Sequence, residues 1–157
     1  MTEHRQIRVV GSDGLRNAKV AIATEPPWLI GIQLQDGTEV AVEETDLFAS
    51  LQTLRLKLEA IGILLCCHGA LANVFPSGMA RQMAEGRRAY RITRGQRPTR
   101  DDLMDIFAPA DCSAVVTVQQ QMDWIERCMA SDSSRGLSCS AHAFRSSAMA
   151  GISARGQ

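Results

Sequence analysis

Cys66, Cys67 and His68 stand in succession at the end of an apolar run and directly before Gly69. Thiol and imidazole are the components of nucleophilic catalysis, which needs a base that reaches the thiol and a further group that orients the base. Adjacent residues on an extended chain point to opposite faces, so His68 does not automatically serve Cys67. A zinc site would need four converging ligands, and no second cluster supplies them, with His4 and His142 lying near the two ends of the chain. Two readings stay open: a small cysteine-dependent hydrolase or transferase working at Cys67 and His68, or core thiols with His68 closing a strand. The second is preferred, because Cys in an apolar stretch behaves as a small hydrophobe. No catalytic set, metal site or cofactor is expected.

The other chemistry-bearing pattern is charge. Arg81, Arg87, Arg88, Arg91, Arg94, Arg97 and Arg100 fall within 20 residues that contain one acid, Glu85. Such a segment can bind phosphate, RNA or an acidic protein. Tyr90 is its only aromatic, and the lack of stacking residues argues against nucleic acid. The acidic counterparts are Glu39, Glu43 and Glu44 beside a hairpin and Asp101, Asp102, Asp105 and Asp111 further on. Carboxylates at a helix start are already explained by the helix dipole. The candidate partner-binding residues are therefore Arg87, Arg88, Tyr90, Arg91 and Arg94, or the acidic set Glu43, Glu44, Asp101, Asp102 and Asp105. Solvation, with pairing to the protein's own acids, is the plainer explanation for the arginines, and the helix dipole for the acids. Phosphate-cradling loops are not recognisable: Gly11-Ser12-Asp13-Gly14 lacks the Lys-Ser/Thr ending of a P-loop.

The scaffold for these residues reads as α+β. The first third alternates like an antiparallel meander, with strands at Ile7–Val10, Lys19–Ala23, Trp28–Gln35 and Thr38–Glu43 and a two-residue hairpin at Asp36-Gly37. Leu47, Phe48, Leu51, Leu54, Leu58 and Ile61 then recur at helical spacing, with Thr45 or Asp46 as N-cap and Gly62 as stop. A buried strand over 63–67 follows. Mixed helices and strands come next: a short helix over Met79–Ala84, a strand over Arg87–Thr93, a helix from Thr99 to Phe107 and a short strand at Ala114–Val116. A capping box at Thr117–Gln120 opens a helix of about 12 residues. Residues 1–130 make one domain, and 131–157, with eight serines in 27 residues, read as a flexible tail.

A chain of 157 residues with 45% hydrophobic and 22% charged residues can bury a full core without staples. Seventeen basic and seventeen acidic residues cancel, so no global field draws it to nucleic acid or membrane. No apolar run suggests a membrane span. Five cysteines, an odd number without CxxC spacing, read as reduced structural thiols in a cytoplasmic protein. Nothing in the sequence sets the oligomeric state.

The stretch from Gly62 through Cys66-Cys67-His68-Gly69-Ala70, with Asn73-Val74-Phe75-Pro76-Ser77-Gly78-Met79-Ala80-Arg81-Gln82-Met83, Ala89-Tyr90-Arg91 and Asp102-Leu103-Met104-Asp105-Ile106-Phe107, resembles small bacterial immunity proteins encoded beside polymorphic toxins of the Rhs type. The resemblance covers roughly residues 7 to 130, and none of its motifs is catalytic. It implies a cytoplasmic antidote that binds a cognate toxin domain and occludes its active site. If that toxin is basic and acts on RNA or nucleotides, the acidic set becomes the better contact surface.

Overall fold

The computed structural model describes residues 1–133. It is an α+β fold in which an antiparallel meander is followed by helices and a second, smaller sheet. β1 (Thr2–Gly11), β2 (Gly14–Ala23), β3 (Trp28–Gln33) and β4 (Glu39–Glu44) pair in sequence, and β5 (Leu64–Leu65) returns to the far side of β1, giving the order β4-β3-β2-β1-β5. β1 and β2 meet over the Ser12-Asp13 turn, where Gly11 pairs with Gly14 and Gly14 takes a positive φ of 92°. The second hairpin is one residue longer than expected. Leu34 and Thr38 are joined by a backbone hydrogen bond, so Gln35, Asp36 and Gly37 all lie in the loop, and Gly37 at φ 90° supplies the left-handed residue that three-residue hairpins require.

Alternation along these strands sends Ile7, Val9, Val20, Ile22, Ile30, Ile32 and Val42 to one face. That face is covered by α1 (Leu47–Glu59), whose Leu51, Leu54 and Leu58 are completely buried. Each such side chain contributes about 2 kcal/mol of hydrophobic stabilisation. Asp46 caps α1 by accepting from Ala49 N at 2.8 Å. Gly62, at φ 79°, ends it: Ile63 N reaches Leu58 O and Gly62 N reaches Glu59 O, so carbonyls of the last turn keep partners.

The second sheet, β6 (Val74–Phe75), β7 (Arg88–Arg91) and β8 (Leu103–Asp105), is antiparallel in the order β6-β7-β8. α2 (Gly78–Met83) bridges β6 and β7, capped by Ser77. It packs through Ala80, while Met79 and Met83 share a face that points to solvent. The loop after α2 docks on the start of α1, with Glu85 O accepting from Leu47 N. Gly86 is required there, because a Cβ would lie 2.8 Å from Phe48 N and its φ is 75°.

The helix expected from Thr99 to Phe107 is corrected to a single 3-10 turn, Arg100–Asp102, followed by β8. Thr99 and Asp102 do form a capping box. Beyond it the backbone pairs with β7, and Ile106 and Phe107 must enter the core, where Ile106 N donates to Arg87 O and Ile106 O accepts from Gly69 N. Those long-range hydrogen bonds replace the ones a helix would make within itself. At 114–116 the expected strand is reduced to an isolated bridge between Leu71 and Val115.

α3 (Val118–Ser133) opens on the expected capping box: Gln120 N donates to Thr117 Oγ1, and Thr117 N to Gln120 Oε1. Val118, Met122, Ile125 and Cys128 form its buried stripe. It runs three residues past the expected domain end, and the rest of the serine-rich segment lies outside the described residues. Among the described residues, no helix is long and apolar enough to cross a membrane.

Candidate interaction surface

The Cys66-Cys67-His68 triplet divides three ways. β5 aligns the segment around Pro109 beside it: Ala110 N donates to Cys66 O, and Cys67 bridges Pro109. That alignment brings Cys112 to Cys66 in a disulfide spanning 46 residues. The expectation that all the cysteines are reduced, structural thiols is therefore corrected for this pair. No spacing rule announces it, because the partners meet through strand alignment.

Cys67 points into the core with no exposure, and burial pushes its thiol up to about 11, although the Arg55 cation opposes the shift. A thiolate nucleophile needs a depressed pKa and access, and Cys67 has neither. His68 begins the 3-10 turn His68–Ala70. Burial, and then Arg91, lowers its pKa, and its Nδ1 is enclosed with no hydrogen-bond partner. The geometry thus supports the core-thiol reading of Cys67.

Beneath this turn lies a buried polar cluster that sequence reasoning missed. Arg55 of α1 donates to Gly69 O at 3.1 Å, Val116 O at 2.8 Å and Gln121 Oε1 at 2.6 Å. Gln121 Nε2 in turn donates to the carbonyls of Gly69, Leu71 and Val74. Arg55 is 2% exposed and Gln121 is fully buried. Burial lowers the Arg55 pKa, and the cation is held by carbonyl dipoles without a bonded carboxylate. Two side chains thus tie α1 and α3 to the loop between β5 and β6. Arg55 falls among Leu51, Leu54 and Leu58, so its position on the inner face was the one available signal.

The arginine segment separates into consumed and free members. Arg81 pairs with Asp46 at 3.2 Å and lies over the rings of Phe48 and Phe75. Arg87 bonds Glu3 at 2.8 Å and Asp105 at 3.2 Å, while Arg5 reaches the same Asp105 at 3.1 Å and pairs with Glu3. This closed square of two cations and two anions joins the start of β1 to β8 and to the residue just before β7. Hydrogen bonding from Arg87 is the main cause that holds the Glu3 carboxyl below its usual value. Arg94 stacks 5.7 Å from the Trp124 ring on α3. Arg88, Arg91, Arg97 and Arg100 are exposed and make no ion pair among the described residues. Tyr90 is half-buried and shares its strand face with Arg88.

The acidic set is largely occupied by the fold. Asp105 belongs to the ion square and also accepts from Phe107 N. Asp102 caps the Thr99 turn. Glu44 accepts from Thr53 Oγ1 at 3.1 Å. Glu43 and Asp101 are exposed. Glu39, Glu43 and Glu44 all lie on β4, the edge strand of the larger sheet, where charges discourage pairing with another chain. Two residues assigned from sequence to opposing patches, Arg87 and Asp105, are thus each other's partners. The chain matches no known protein-family model and no curated protein.

Proposed function

We propose that this protein is an interaction protein that acts by occluding a partner, and that the partner is the toxin domain implied by the resemblance to immunity proteins. The observation that supports this reading is the set of exposed arginines left without an ion pair among the described residues, Arg88, Arg91, Arg97 and Arg100, with half-buried Tyr90 beside Arg88 on one side of β7. Arg and Tyr anchors supply much of the affinity in protein interfaces, and unpaired surface charge accelerates encounter. The partner surface is then acidic, and the Glu43, Glu44, Asp101, Asp102 and Asp105 alternative recedes because the fold already uses three of its five carboxylates. The cytoplasm belongs to this proposal. The Cys66–Cys112 bond weighs against a strongly reducing compartment, so the redox state of that pair in cells tests the location independently.

The test starts from the neighbouring gene: a toxin-like reading frame there supplies a C-terminal domain for co-expression and direct binding, and a neighbour of another kind overturns the proposed partner. Arg88→Glu combined with Arg91→Glu is expected to weaken binding on the order of a hundredfold and to abolish growth protection. Glu43→Lys is expected to leave both unchanged. Equal affinity for the double variant and the parent would overturn the proposed face, and the absence of any binding by the parent would overturn the proposed partner.

A further inference from the structure

At the opposite end of β1 from Glu3, three turns border an open cleft of about 380 Å³: the Ser12-Asp13 hairpin, the Gln35-Asp36-Gly37 hairpin and the turn that follows α1. Its size falls in the range of small-molecule sites, roughly 300–1,000 Å³. Val9 and Leu34 form an apolar floor, and Ile61, 55% exposed, is part of the wall. Such an exposed isoleucine gives a ligand's hydrocarbon body a surface to cover.

The charges of the lining favour one sign. It carries two carboxylates, Asp13 and Asp36, against one guanidinium, Arg16, which is already paired with Asp13 at 3.4 Å. Asp36 is fixed by accepting from Thr38 N at 2.8 Å, and hydrogen bonding with Thr38, with a smaller contribution from Arg16, holds its carboxyl below the usual carboxylate value. The wall formed by Ile61 and Gly62 belongs to the turn that follows α1. The two hairpins supply the carboxylates, and the turn after α1 adds Ile61 to the apolar surface of Val9 and Leu34.

We propose that this cleft binds an organic cation, an alkylammonium or alkylguanidinium whose head sits at Asp36 and whose hydrocarbon body lies on Val9, Leu34 and Ile61. The same chemistry occurs in free amines and in the Lys or Arg side chain of a protein. The site is independent of the basic face proposed above and has the opposite preference.

Butylguanidinium chloride is titrated into the full-length protein while amide NMR shifts are followed, with sodium butyrate and butanol as controls. The expected result is saturable shifts at Gly14, Gly37 and Gly62, at least about tenfold weaker binding for Asp36→Asn, and no saturation with butyrate. Asn at position 36 retains the oxygen that accepts from Thr38 N, so the turn is kept. Absence of saturable shifts, equal response to butyrate, or undiminished binding by the Asp13→Asn, Asp36→Asn double variant would each overturn the proposal. A Gly-Arg-Gly peptide separates the sources: tighter binding than butylguanidinium points to a protein side chain, and weaker binding points to a free amine or guanidine.

Discussion

Arg55 and Gln121, 66 residues apart in sequence, meet at 2.6 Å in the interior, and between them they hold four backbone carbonyls. Neither can be removed without stranding the other. Gln121→Leu leaves a buried cation one acceptor short and the carbonyls of Leu71 and Val74 without their side-chain donor, and Arg55→Met strands Val116 O and Gln121 Oε1. Each is expected to lower unfolding free energy by about 3 kcal/mol. The double variant should lose less than the sum by about 1 kcal/mol or more, measured by urea denaturation of the four proteins in a cycle.

The Cys66–Cys112 bond closes a loop of 46 residues, for which the chain-entropy argument gives roughly 4 kcal/mol of stabilisation. Cys112→Ser is expected to lower the melting temperature under oxidising conditions. Addition of a dithiol reductant should bring the parent down to the variant. Coincident melting curves without reductant would contradict the bond.

Cys67 is expected to resist iodoacetamide in the folded protein and to react as soon as urea unfolds it, because its thiol is enclosed and titrates near 11. Mass spectrometry of the alkylated peptide reads this directly. Rapid native labelling at Cys67 would restore the thiol-enzyme reading.

Arg87 and Arg88 are neighbours with opposite tasks. Arg87→Ala opens the square with Glu3, Arg5 and Asp105 and should cost about 1 kcal/mol. Arg88→Ala, exposed and without an ion pair among the described residues, should stay within about 0.5 kcal/mol of the parent. Thermal melts of the two variants make the comparison.

Acid should weaken the fold in two stages. The folded pKa of His68 lies below the unfolded value of 6.5, mainly through burial, so the unfolded chain binds the extra proton and stability falls as pH drops through 6.5 toward the folded value. Glu3 lies below 4.5, chiefly through its hydrogen bond from Arg87, so its contribution is present above 4.5 and is lost as pH falls through its folded value. Urea midpoints measured across the acid range should show His68→Asn flattening the upper stage and Glu3→Gln the lower.

The meander, α1 and α3 were legible because their periods, caps and turn residues are local: Asp46, Thr117 and Gly62 act within a few residues of themselves. The segment at 99–107 was not, since its Asp-rich start suits a helix and only the partner strand β7 diverts it. The site was less legible than the fold for the same reason. Whether Arg87 faces solvent depends on Glu3, 84 residues earlier, and Arg55 could be placed inside only by knowing where Gln121 falls. Charge runs reveal candidate surfaces, and distant pairing then subtracts from them.

The arrangement around Gln121 bears on the order in which the chain can mature as it leaves the ribosome. A nascent chain that ends before α3 has the whole larger sheet and α1, yet its Arg55 lacks Gln121, and Gly69, Leu71 and Val74 lack the amide that joins their carbonyls. The last described helix is therefore the closing piece of the core rather than an appendage. Synthesis must pass residue 121 before this cluster is complete, and a transcript cut short of that point yields a chain whose buried Arg55 lacks one of its three acceptors.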